Sequence, residues 1–178
     1  MYDEINPTSV FVTHDQEEAL EVADRVVVVN HGIIEPVGRP DEIYDKAAIS
    51  FVYALLGNVN LFEGRVHNGI ADVGRGRIHA PEHAHVADSA ATTCVRPHDI
   101  DIARAVGKDT VEATLNRATR VGSVVRLELS RKDNGAYVEV ELSRERFEHL
   151  NVTTGNVVHF KPRRARVFLA DSSHSNAA

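Results

Sequence analysis

The chain has 178 residues, of which 43% are hydrophobic and 26% charged, with a net charge of −6, a single cysteine and no tryptophan. This is the composition of a globular protein with apolar material for one domain or two small ones. It excludes a disulfide framework and a cysteine metal site within one chain, and no run approaches the roughly 18 apolar residues of a membrane span.

The start MYDE lacks the basic-then-apolar pattern of a secretory signal, so a soluble, cytoplasmic chain is expected. Charge is distributed unevenly. Residues 1–60 hold 3 Lys+Arg against 11 Asp+Glu, giving −8, whereas residues 61–178 hold 17 against 15, giving +2. Nucleic-acid binding needs a concentrated basic face and stacking rings, so no nucleic-acid partner is expected.

Residues 9–13 (SVFVT) form a short apolar, β-branched run suited to a buried strand. His14 follows at its carboxyl end, and Asp15 is placed to cap a helix over residues 16–23, where Ala19, Leu20 and Ala23 fall at helical spacing. Glu17 and Glu18 suit the positive end of that helix; pointing about 100° apart, they do not share a metal readily. Residues 25–30 (RVVVVN) read as a strand buried on both faces, and His31-Gly32 turns it into a hairpin with Ile33-Ile34-Glu35. Pro40 opens a helix through residue 44, and residues 49–56 form another, stopped at Gly57.

Beyond residue 60 the period becomes that of strands. Nine are expected, over residues 62–67, 77–80, 92–96, 99–104, 111–119, 124–130, 136–142, 157–160 and 165–169. That count is barrel-like. Residues 125–129 and 137–141 alternate apolar and polar across the turn Lys132-Asp133-Asn134-Gly135, the pattern of a sheet with one wet face. Ser143 caps a helix over residues 144–150. The tail 171–178 is small and polar, and is expected to be disordered.

The string TSVFVTHDQEEALEVADRVVVVNHGIIE (residues 8–35), followed by VGRPDEIY (residues 37–44), closely resembles the end of an ABC-transporter nucleotide-binding domain, from the switch-histidine strand onward. SFVYALLGNVNLF (residues 50–62) is similar to the join between ATPase and regulatory domain in sulfate/thiosulfate import ATP-binding subunits. VRPHDI (residues 95–100) and VGSVVR (residues 121–126) look like the oligonucleotide-fold-like transport-associated (TOBE) domains of those importers. The resemblance implies an α+β chain: a short α/β remnant of an ABC ATPase domain (1–57), then an all-β OB-like or MOP-like barrel (58–170) with a regulatory or dimerising role. ATP and Mg²⁺ are implied for the full-length family, as are membrane permease subunits as partners and a place at the inner face of the plasma membrane.

The departures from that family are equally informative. No G-x-x-x-x-G-K-[ST] loop is present, since Gly107-Lys108-Asp109-Thr110 lacks the upstream glycine and the required ending. Leu142-Ser143-Arg144-Glu145 lacks the glycines of a signature motif, and no apolar strand ends in Asp-Glu to hold Mg²⁺. A truncated chain is expected, inactive alone as an ATPase and with no cofactor of its own.

By resemblance His14 is the switch histidine, whose neutral ring donates one N–H toward a γ-phosphate, but without a phosphate loop it is expected to be silent. On the β-domain, Arg117, Arg120 and Arg126, with Gly122 and Ser123 of the turn, offer an oxyanion-binding surface, extended by Lys161, Arg163, Arg164 and Arg166. The same arginines also fit the wet face of strands. A free-standing oxyanion-binding β-domain is therefore the alternative function. His79, His83 and His85 with Glu82 (HAPEHAH) cluster, but Pro81 and the alanines indicate an exposed connection, and no metal is expected. Arg96-Pro97 reads as a structural corner and Cys94 as a small buried hydrophobe. Unsatisfied edges around residues 9–30 lead to an expected homodimer in which the N-terminal segments, residues 8–30, pair or swap between chains.

Overall fold

The structure, a computed structural model, describes residues 8–13, 16–30, 32–40 and 58–170. It divides into two compact units, Met1–Gly57 and Asn58–Ala178, each taken by itself below. No helix among the described residues is long and apolar enough to cross a membrane.

The first unit contains helix α1 (Gln16–Val22) and the hairpin of β1 (Val26–Asn30) and β2 (Ile33–Gly38). Two expectations need correction. Residues 9–13 join no ladder, with Val10, Phe11 and Val12 exposed at 90%, 62% and 87%. Strand composition makes a strand only where a neighbouring strand takes its N–H and C=O groups, and no ladder among the described residues includes residues 9–13. The second correction is that β1 is not buried on both faces. Val28 is 5% exposed, while Val27 and Val29 on the opposite face are 50% and 62% exposed. Residues 14 and 15, the helices expected over residues 41–44 and 49–56, and the tail 171–178 lie outside the described residues.

The second unit is built from ten strands in two five-stranded antiparallel sheets. Its first half supplies β3 (Asn60–His67), β4 (Ile70–Val73), β5 (Gly76–His79), β6 (Ser89–Val95) and β7 (Ile100–Ala103). The second half supplies β8 (Val111–Val121), β9 (Val124–Arg131), β10 (Tyr137–Ser143), helix α2 (Arg144–Leu150), β11 (Val157–Pro162) and β12 (Arg166–Leu169). Sequence periodicity anticipates nine of these strands and misses β4, whose four residues IADV are interrupted by Asp72 and hemmed by Asn68-Gly69 and Gly74.

The sheet orders are β5-β4-β3-β6-β12 and β10-β9-β8-β11-β7. These are one topology written twice, with the fifth strand exchanged. In each half the first strand is central, the next two meander outward, and the fourth pairs on the other side. Then β7 crosses to complete the second sheet and β12 crosses back to complete the first. Both central strands send apolar residues inward: Phe62 and Val66 of β3 and Val111 and Leu115 of β8 are all buried. Phe62, Val73 and Val95 of the first sheet join Leu115, Leu127, Leu129, Val140 and Phe160 of the second in one core. The Phe62 and Phe160 rings lie 6.1 Å apart.

Side chains close this arrangement where ladders stop. The buried Asn60 amide donates to the Glu139 carbonyl at 2.8 Å and accepts from the Glu139 N–H at 2.7 Å, so it pairs with β10 as a strand backbone would. At β5, Gly76 sits against Asp109, where a Cβ would fall 2.7 Å from the Asp109 carbonyl oxygen. Ser143 caps α2 as the sequence indicates, its hydroxyl accepting from the Arg146 N–H at 3.2 Å.

Candidate functional site

The hairpin of β8 and β9 carries the residues picked out for an oxyanion. Pairing sets Arg117 opposite Glu128, Thr119 opposite Arg126 and Arg120 opposite Val125, and Glu141 of β10 lies opposite Arg126. Leu127 and Leu129 point into the core, so Arg126 and Glu128 stand on the outer face. There Arg117 meets Glu128 at 3.9 Å and Arg126 meets Glu141 at 3.3 Å. Two of the three arginines thus face carboxylates. Arg120, of opposite parity to Arg117 by register, is exposed beside the turn. Gly122 holds the turn with φ of +56°, and the Ser123 carbonyl accepts from the Arg144 N–H at 3.3 Å.

The wider basic set is not gathered in one place. Lys161 lies just past the Phe160–Val111 pair, six residues along β8 from Arg117 and so roughly 20 Å away. Arg163 is occupied elsewhere: its guanidinium donates to the His98 carbonyl at 2.6 Å and lies 3.6 Å from Asp101. Its backbone N–H donates to the Asp99 carbonyl at 2.7 Å. Hydrogen bonds therefore join the two crossover segments. Arg96, at the other crossover, is 4% exposed and precedes a 3-10 turn at Pro97–Asp99, which fits a structural corner.

The histidines of HAPEHAH sit on different elements. His79 ends β5, and His83 lies in a 3-10 turn with its Nε2 2.8 Å from the Val167 carbonyl, to which it donates. It therefore ties this turn to strand β12. Among the described residues no three His, Cys, Asp or Glu side chains gather to hold a metal ion. Cys94 is buried, and burial pushes its thiol up to about 12, so it offers no thiolate.

One buried charged contact was not singled out from sequence. Arg131, 8% exposed, makes a two-pronged pair with Asp133 at 2.9 and 2.6 Å, and its guanidinium lies 5.6 Å from the Phe62 ring centroid. The hydrogen bonds from Arg131 hold the Asp133 carboxyl below its usual range. Gly74, with φ of +62°, leaves room for that guanidinium. A small hollow beside the pair is lined by Arg75, Val111, Glu112, Lys132 and Asp133, walls of both signs. The signal was in the alternation: Arg131 shares parity with the inward-facing Leu127 and Leu129.

The division of the β-unit coincides with two sequence families. Residues 60–102 match the family described as the CysA C-terminal regulatory domain, and residues 105–163 match one described as a TOBE-like domain. The first match ends inside β7 and the second just before β12, so the boundary between families falls between the two halves. The sulfate/thiosulfate import ATP-binding protein CysA of Bacillus cereus is 46% identical over 172 residues, covering 96% of this chain and 48% of that protein. The protein of the same name from Nitrosomonas europaea is 49% identical over 171 residues, 94% of this chain and 47% of that one. The chain belongs to the sulfate/thiosulfate import ATP-binding protein family. It spans about half the length of these CysA relatives, and the regulatory-domain match identifies its β-unit with their C-terminal portion. Among solved structures, the cytoplasmic molybdate-binding protein ModG, with molybdate bound, superposes with a TM-score of 0.51 at 10% identity, over 62% of this chain and 96% of that one. This likeness concerns the fold, an OB-like β-domain.

The sequence has no glycine-rich phosphate loop, and residue 14 lies outside the description.

Proposed function

We propose that this chain is the regulatory and dimerising portion of the ATP-binding subunit of a sulfate/thiosulfate ABC importer, coupling ATP hydrolysis by the complete subunit to anion uptake. The supporting observation is the match of 96% of the chain to proteins named for that import, with a regulatory-domain match over residues 60–102. Residues 58–170 form the regulatory β-domain and residues 1–57 the end of the ATPase domain. The complete subunit works at the inner face of the plasma membrane against permease subunits, with ATP and Mg²⁺ held by its remaining half and His14 facing the γ-phosphate. Dimerisation is assigned to the β-domain, whose interior is closed and whose outer strands are available.

Within this reading the β-domain senses the imported oxyanion at the end of the β8–β9 hairpin. Arg120, the Gly122 backbone and Ser123 are its contacts, while Arg117 and Arg126, tethered to Glu128 and Glu141, stand on the other face of the ribbon and take no direct part. A free-standing oxyanion-binding protein is disfavoured, because the extensive sequence matches run through residues 1–57 as well as the β-domain.

The test is a graft. Residues 58–170 replace the matching segment of the Bacillus cereus relative, and sulfate uptake is measured in a strain lacking its own importer. Uptake comparable with the parent protein is expected. A graft that assembles and hydrolyses ATP without sulfate uptake would overturn the reading.

A further inference from the structure

We propose that the hollow between the β4–β5 turn and the strands β8 and β9 binds a small α-amino acid, held as its zwitterion by Arg75, Lys132 and Glu112. The inference goes beyond the import role and concerns a second site on the β-domain. The hollow has a volume of about 100 Å³ and is lined by Arg75, Val111, Glu112, Lys132 and Asp133. That is about three water volumes, room for the smallest amino acids. It lies at the opposite end of the β8–β9 ribbon from the Gly122 turn, the length of β8 away and so at roughly 30 Å.

Backbone packing holds the charges in place. Gly74 and Gly76 flank Arg75, and neither has room for a side chain. A Cβ on Gly74 would meet the Arg131 guanidinium, and one on Gly76 would fall 2.7 Å from the Asp109 carbonyl oxygen and 3.2 Å from Val111 Cγ2. The β4–β5 turn is thereby seated against the second sheet, with Arg75 at its tip. On the other wall the Lys132 N–H donates to the Glu112 carbonyl at 2.9 Å, which sets those two residues side by side. Arg131 and Asp133 satisfy each other at 2.6 Å, whereas among the described residues Arg75, Lys132 and Glu112 enter no ion pair. Two uncommitted cations and one uncommitted carboxylate therefore face a single small space. A sulfate-like dianion meets Glu112 as a like charge there, and a simple amine meets Arg75 and Lys132 in the same way. An α-amino acid satisfies all three, its carboxylate accepting from Arg75 and Lys132 and its ammonium donating to Glu112. Arg75 comes from the first half of the β-unit and Glu112 and Lys132 from the second, so the ligand joins the two halves and stabilises the fold by mass action.

The test follows the amide resonances and the thermal midpoint of the full 178-residue chain during titration with glycine, L-alanine and L-serine, and separately with acetate, methylamine and sulfate. The amino acids should give saturable shifts at residues 74–76, 111–112 and 132–133 and raise the midpoint. Acetate and methylamine each carry one of the two charges and should bind about tenfold more weakly or worse. Glu112→Gln and Lys132→Met should each weaken amino-acid binding by about tenfold, the loss of one charge-assisted hydrogen bond. Both side chains belong to exposed residues, so the unliganded midpoint should stay where it is in either variant. The proposal is overturned if no amino acid gives saturable shifts, if the shifts centre elsewhere, or if acetate binds as tightly as glycine. It is equally overturned if the two substitutions leave the affinity unchanged, or if sulfate displaces the amino acid, which would make the hollow an oxyanion site. Binding is read on this chain alone, so a failed uptake graft and an empty hollow are separable results.

Discussion

Residues 1–57 and residues 58–178 illustrate opposite solutions to the same problem. Both use apolar β-rich sequence, yet the β-unit buries Phe62, Leu127, Leu129 and Phe160 to 1% or less, while the hairpin unit leaves Val27, Val29 and Ile34 half exposed or more. A sheet is stable when both its backbone groups and its apolar face have somewhere to go. In the β-unit each sheet finds its fifth strand in the other half and its cover in the other sheet. Among the described residues the hairpin has only its own two strands.

The largest effect should come from separating the two. Residues 58–170 expressed alone are expected to keep a cooperative thermal transition and dispersed amide resonances, whereas residues 1–57 alone should show neither. A folded 1–57 fragment would erase the contrast. Next in size, Phe160→Ala removes a ring from the shared core and should cost about 3–5 kcal/mol by denaturant unfolding. Val29→Ala, at an exposed position, should cost under about 0.5 kcal/mol. Smaller than the Phe160→Ala cost is that of Asn60→Ala, which strips the Glu139 backbone of both its partners and should destabilise the β-unit by about 1–3 kcal/mol. Asn60→Asp should recover part of this, because a carboxylate still accepts from the Glu139 N–H but donates nothing to its carbonyl.

The smallest effect sharpens the comparison through pH. Asp133 is held below its ordinary value of 3.8, chiefly by hydrogen bonds from Arg131. A depressed carboxyl contributes stability that is present above its unfolded pKa and is lost as pH falls through the folded one. The acid limb of the β-unit's stability profile, below about pH 4, should therefore flatten in Asp133→Asn. An unchanged limb in that variant would show that the Arg131 pair is not coupled to folding.

Local patterns explain what the sequence made legible. The β9–β10 hairpin was visible because Val125 to Glu141 alternates strictly around a Gly-containing turn, and α2 because Ser143 stands three residues before the N–H it caps. The strand β4 was hidden by Asp72, which suits a wet face but interrupts an apolar run. Exchange of β7 and β12 has no local signature, since pairing across more than fifty residues leaves no mark on either strand. The Asn60 bridge was equally silent, because one amide looks like any other until the edge it meets is known. Residues 9–13 show the converse: β-branched composition was read correctly, but composition does not supply a neighbour. At the candidate oxyanion surface the arginines were legible and their counter-charges were not, because Glu128 and Glu141 reach them only through register.

Exchange of the fifth strands also orders events in time. As the chain leaves the ribosome, residues 60–103 emerge with one sheet still lacking its last member, which arrives only with Arg166–Leu169. Neither half has a complete structure to commit to until nearly the whole unit has been synthesised. Once formed, the two halves hold each other without help from the peptide that joins them. A protease nick between Arg104 and Thr110 would leave two polypeptides that still migrate as one.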